Sequence, residues 1–102
     1  MARQSLRRTK DKLNNDVEDL EGQLTRVEGG PIPSYQLQML EKDWKDASSQ
    51  QEDVLAAFDR CVFLTEDIIE AETLTREKEE YLQGVSEQLR RIRKVLRECS
   101  SI

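Results

Sequence analysis

Apolar residues recur along this chain at helical spacing, in three blocks. In the first, Leu6, Leu13, Val17, Leu20, Leu24 and Val27 advance by seven, four, three, four and three, with Lys10 in the vacant position. In the second, Leu37, Leu40, Trp44, Ala47, Gln51, Val54, Phe58, Cys61, Thr65 and Ile68 form an unbroken seam of three- and four-residue steps. In the third, Leu82, Val85, Leu89, Ile92, Leu96 and Cys99 form a seam, with Leu74, Tyr81, Gln88 and Val95 in a row beside it. Narrow stripes of this kind bury only against one another. The pattern therefore predicts an all-α fold: an antiparallel three-helix bundle of staggered, coiled-coil-like helices with a long middle helix, in one domain over residues 1–102.

The predicted helices run over about 3–28, 35–71 and 74–99. Gly29-Gly30-Pro31-Ile32-Pro33 sets the first boundary. Gly29 or Gly30 can take the left-handed conformation that closes a helix, the prolines prevent continuation, and Ser34 suits the N-cap of the next helix. The second boundary has no glycine or proline. Extended forward, the middle seam falls on Glu72, Thr75 and Glu79 and does not join the third. That mismatch predicts a turn near Ala71 to Thr75, capped by Thr73 or Thr75, with one long kinked helix as the alternative.

Folding the helices back across these turns sets their overlap. Arg3 is then level with roughly residue 60 and Cys99 with roughly residue 47, so all three helices coexist only over the middle. There the central helix gains a second row, Leu55, Val62 and Ile69. Beyond the first helix, Phe63, Leu64, Ile68, Ile69, Leu74, Tyr81 and Leu82 are candidates for a partner-binding surface, because a two-helix hairpin cannot enclose so many apolar groups. The alternative is that these side chains cover one another or that the first helix reaches further. Glu66, Asp67, Glu70, Glu72, Glu77, Glu79 and Glu80 surround the patch and favour a basic, apolar partner.

Composition sharpens this picture in two places. Charged residues make up 36% of the chain and mean hydropathy is −0.76, values that would fit disorder if the apolar residues were not periodic. The net charge of −5 argues against nucleic acid as a partner. Yet Arg3, Arg7, Arg8, Lys10 and Lys12, with Arg90, Arg91, Arg93, Lys94 and Arg97, hold ten of the sixteen Lys and Arg residues. The predicted overlap gathers them into a basic waist, a candidate patch for an acidic peptide, nucleic acid or anionic lipid headgroups.

Candidate chemistry is sparse. The chain has no histidine, the usual neutral-pH base and commonest metal ligand, and no glycine-rich phosphate loop. Cys61 and Cys99 fall on seams as small apolar groups, about 20 Å apart by helical rise, too far for a disulfide or shared zinc within one chain. No catalytic residue, metal site or cofactor is expected, and with no long apolar run or secretion signal the expected compartment is cytosol or nucleus.

Three families share parts of this spacing. Leu13 to Glu28, the loop through Pro33 and the stretch from Ser34 to Val54 resemble a syntaxin-type N-terminal regulatory bundle. The same loop with Arg93 to Ser100 looks like a BAG chaperone-cofactor domain. Leu40, Trp44 and Gln51 followed by Glu80, Tyr81 and Leu89 are similar to the N-terminal helices of some retrotransposon Gag proteins. These resemblances imply a trafficking regulator, a chaperone cofactor or a structural assembly domain, and no functional residue is carried over from them. The expected function is a non-enzymatic interaction or assembly module that binds a partner helix or a second copy through helices two and three.

Overall fold

The computed structural model describes residues 2–27 and 31–99. Three helices follow one another, α1 (Ala2–Val27), α2 (Ser34–Leu64) and α3 (Ile68–Glu98), packed up, down and up into a rod 56 Å long and 20 by 16 Å across. The all-α three-helix bundle is as the periodicity predicts. The α1 stripe, Leu6, Leu13, Val17, Leu20 and Leu24, is buried throughout, as are Leu40, Ala47, Val54, Phe58 and Cys61 of α2 and Val85, Leu89, Ile92 and Leu96 of α3. Ile32, between the two prolines, is also buried and closes one end of the core.

Glu28, Gly29 and Gly30 lie outside the described residues, and with them the expected glycine closure of α1. Helix α2 begins one residue earlier than expected. Ser34 is its first residue, the cap position falls on Pro33, and the Leu37 amide donates to the Pro33 carbonyl at 3.0 Å.

The second turn lies earlier than the register break suggests. Helix α2 ends at Leu64, residues 65–67 form the turn, and two separate helices replace the long kinked alternative. Asp67 caps α3: its carboxylate accepts from the amides of Ile69 at 2.9 Å and Glu70 at 3.4 Å. Glu70 stands three residues after the cap, where a capping box places an acid, and accepts from the Thr65 hydroxyl at 3.2 Å. Thr73 and Thr75, the expected caps, lie inside α3 instead. Their hydroxyls donate to the carbonyls of Ile69 and Ala71 four residues back, which lets threonine sit within a helix without an unsatisfied donor.

This early turn removes the predicted stagger. Trp44 stands beside Leu89, Gln51 beside Ser86, Asp59 beside Lys78, and on the other side Asp16 stands beside Gln50. Arg3 pairs with Glu70, so α1 reaches the α2–α3 turn instead of stopping level with residue 60. The three helices overlap along nearly their whole length. The expected second row of α2 is not formed: Leu55 and Ile69 are exposed and only Val62 is half-buried, while Gln50 and Ala57 widen the face turned to the neighbours.

Candidate interaction surfaces

The apolar surface assigned to helices two and three contracts to the turn itself. Phe63, Leu64, Ile68 and Ile69 are 86%, 57%, 75% and 75% exposed. Leu74, by contrast, is 7% exposed and belongs to the core, and Tyr81 and Leu82 are half-buried against it. The reason is that α1 reaches this level and covers Leu74 and Tyr81, while Leu82 lies between Lys78 and Ser86, which bond Asp59 and Gln51 of α2. What stays uncovered is a tip of four large side chains on a turn held by the Thr65, Asp67 and Glu70 hydrogen bonds. Glu66, Asp67 and Glu72 flank it, whereas Glu70 is answered by Arg3.

Tyr81 is a joint between helices. Its hydroxyl donates to the Asn14 side-chain oxygen at 2.8 Å and lies 3.3 Å from the Lys10 carbonyl. Lys10, the cation in the α1 stripe, carries its ammonium 5.1 Å from the Tyr81 ring centre and 5.6 Å from that of Phe58. A long amphipathic side chain thus fills an apolar position by turning its charge to two aromatic faces. Burial, assisted by the Asp11 carboxylate, pushes the Tyr81 phenol up to about 12. The unfolded chain ionises near pH 10, so above that pH it releases a proton that the folded chain retains. Stability is therefore expected to be unaffected by this group below pH 10 and to fall as pH rises from 10 toward 12. Urea denaturation of the native chain and of Tyr81→Phe at pH 9 and pH 11 reads the effect, and an equal loss in both proteins would sink it.

The predicted basic waist does not assemble. Arg3 and Arg7 line a groove between α1 and α3 with Lys10, Asp11, Leu74 and Glu77, and Arg8 belongs to the same end of α1. Arg90, Arg91, Arg93, Lys94 and Arg97 belong to the other end of the rod, where Arg91 faces Glu21 and Leu24 of α1. From Leu74 to Arg91 the separation along α3 is about 25 Å at 1.5 Å per residue. Early placement of the second turn is the cause, since it carries the end of α3 away from the start of α1. Cys61, buried, and Cys99, half-buried, likewise lie toward opposite ends.

Two further grooves flank α2, and helical spacing alone did not single them out. Between α2 and α3, Glu41, Trp44, Lys45, Arg93, Leu96 and Arg97 form one. There the Trp44 indole donates to the Leu89 carbonyl at 2.7 Å and the Arg93 guanidinium stacks 4.7 Å from the Trp44 ring centre. Between α1 and α2, Asp16, Asp19, Asp43 and Asp46 line the other, with Leu20 and Gln23. The i, i+3 pairs Asp16/Asp19 and Asp43/Asp46 beside the seams were the available signal. Gln50, buried at the α1–α2 contact, donates to Asp16 at 2.6 Å and leaves its own oxygen without a partner among the described residues.

No protein-family model, curated protein or solved structure matches this chain. The syntaxin-type, BAG and Gag resemblances rest on spacing, and no residue role is taken from them. Among the described residues no helix is long and apolar enough to cross a membrane.

Proposed function

We propose that this chain is a non-catalytic protein-interaction module that docks a helix of another protein on the tip formed by Phe63, Leu64, Ile68 and Ile69. The observation that carries this reading is the exposure of those four side chains on a turn whose backbone is fastened by side-chain hydrogen bonds. An apolar cluster on a fixed turn presents a defined shape and costs little ordering on binding. Glu66, Asp67 and Glu72 beside it favour an amphipathic helix whose apolar face is bordered by Lys or Arg, and they oppose tip-to-tip pairing of two copies.

A synthetic amphipathic Leu/Lys helix serves as probe, with a Leu/Glu helix as charge control, and fluorescence anisotropy reads binding. The Leu/Lys helix is expected to bind and the Leu/Glu helix to bind at least tenfold more weakly. Phe63→Asp with Ile69→Asp should abolish binding while the circular dichroism spectrum is retained. A purely electrostatic contact would be strengthened by two added carboxylates, so undiminished binding by the double variant would overturn the reading.

A further inference from the structure

We infer that this chain also associates with itself side by side, the basic groove between α2 and α3 of one copy receiving the acidic groove between α1 and α2 of the next. The two grooves share the segment 41–46 of α2 and so stand at one height on the rod, on either side of that helix. Each carries charge that the chain does not answer. Among the described residues the ion pairs are Arg3 with Glu70 and Lys78 with Asp59, and none involves Lys45, Arg93, Arg97, Asp16, Asp19, Asp43 or Asp46.

One member of each set is also held in place before any contact forms. Arg93 lies on the Trp44 ring, an arrangement that fixes the guanidinium plane and leaves its N–H edge open to a carboxylate. Asp16 is anchored by the buried Gln50 amide. That bond accounts for a glutamine at a core position, where its unpartnered oxygen is otherwise a cost without return.

A second copy answers both clusters at once. A polyanion would satisfy the arginines alone and leave the four aspartates of the other groove unanswered, and among the described residues no group of acidic, cysteine or histidine side chains is placed to hold a metal ion. The two grooves differ, so the contact is heterologous: each copy keeps one groove free, and further copies add until a ring closes or an open array grows. Exposed ion pairs are individually weak, so the association is salt-sensitive. It uses none of the tip residues, and its failure and that of the tip reading are independent.

Sedimentation equilibrium of the full chain tests this directly. In about 0.1 M salt, where the Debye length is about 10 Å, the weight-average mass is expected to reach at least twice the 11.9 kDa of one chain. In about 1 M salt, with a Debye length of about 3 Å, it should return to that of one chain. Arg93→Glu with Arg97→Glu makes both grooves acidic, and Asp43→Lys with Asp46→Lys sets two lysines against Asp16 and Asp19, so the acidic groove loses its net charge. All four positions are exposed, so the fold is retained. Each double variant alone should remain monomeric, and an equimolar mixture, which restores one native pair of grooves, should reach about twice the mass of one chain, which a misfolded variant would not do. A native chain that stays monomeric at low salt overturns the proposal, as does a mixture no heavier than its components. Retention of the native chain on heparin, lost in the arginine variant and without any gain in mass, would assign the basic groove to a polyanion instead.

Discussion

Truncating Phe58 to alanine is expected to destabilise the bundle by about 3 to 5 kcal/mol, the range for an aromatic side chain removed from a close-packed core. Phe58 is fully buried, and its ring centre lies 6.2 Å from that of Tyr81 on α3 while the Lys10 ammonium of α1 stands over it. All three helices meet on this one side chain. The cavity therefore has no single neighbour that can collapse into it, and it leaves a cation beside empty space. A small domain has only about 5 to 15 kcal/mol in all, so the melting temperature should fall by roughly 15 to 30 °C. Phe58→Leu, which keeps most of the volume, should cost about 1.5 kcal/mol or less. Trp44 is the only tryptophan and sits about 20 Å away along α2, so its fluorescence tells whether the far end melts with the site or separately. A loss below about 1 kcal/mol would show that the three helices do not share this core.

Trp44→Ala is the second large effect, expected near 2 to 3 kcal/mol because the half-buried indole joins α2 to α3 at the end of the rod away from the tip. Trp44→Phe separates ring from donor. The Leu89 carbonyl still accepts within the α3 ladder when the indole N–H is gone, so no buried acceptor is orphaned and the cost should be about 1 kcal/mol. Arg93→Ala in the native and Trp44→Ala backgrounds then measures the stacking, expected at about 0.5 to 1 kcal/mol. Thermal melts followed by circular dichroism give all four values. If Trp44→Phe costs as much as Trp44→Ala, the hydrogen bond and not the packed ring holds this end together.

Much of the core was readable because a helix repeats. Leu13, Val17, Leu20 and Leu24, or Leu40, Ala47, Val54 and Phe58, are spaced so that only one face can be theirs, and all are buried. The second turn was harder. Asp67-Ile68-Ile69-Glu70 carries the spacing of a capping box, yet the two isoleucines continue the apolar rhythm of α2 through it. Periodicity follows faces and is indifferent to where a chain reverses, so a two-residue apolar run at a cap reads as uninterrupted seam.

From that one boundary the candidate surfaces followed. A later turn gathers Arg3 and Arg97 into a single waist and leaves Leu74, Tyr81 and Leu82 uncovered. The observed turn sends the two basic segments to opposite ends and brings α1 over Leu74. Phe63, Leu64, Ile68 and Ile69 remain exposed on either reading, because no element of the described chain extends past the turn.

The chain by itself determined its class: three amphipathic stripes, with a first loop too short for anything but antiparallel neighbours. Those are local properties, set by which side chains lie three and four residues apart. Register between helices is not local. The Trp44 bond to Leu89, the Gln50 bond to Asp16 and the Lys10 contact with Phe58 join residues far apart in sequence, and only their simultaneous packing decides which turn of one helix faces which turn of another. Whether a charged face is answered within the fold depends on that alignment. Tertiary structure alone therefore decided that the aspartates and arginines flanking α2 share one height and that the apolar tip is four side chains instead of seven.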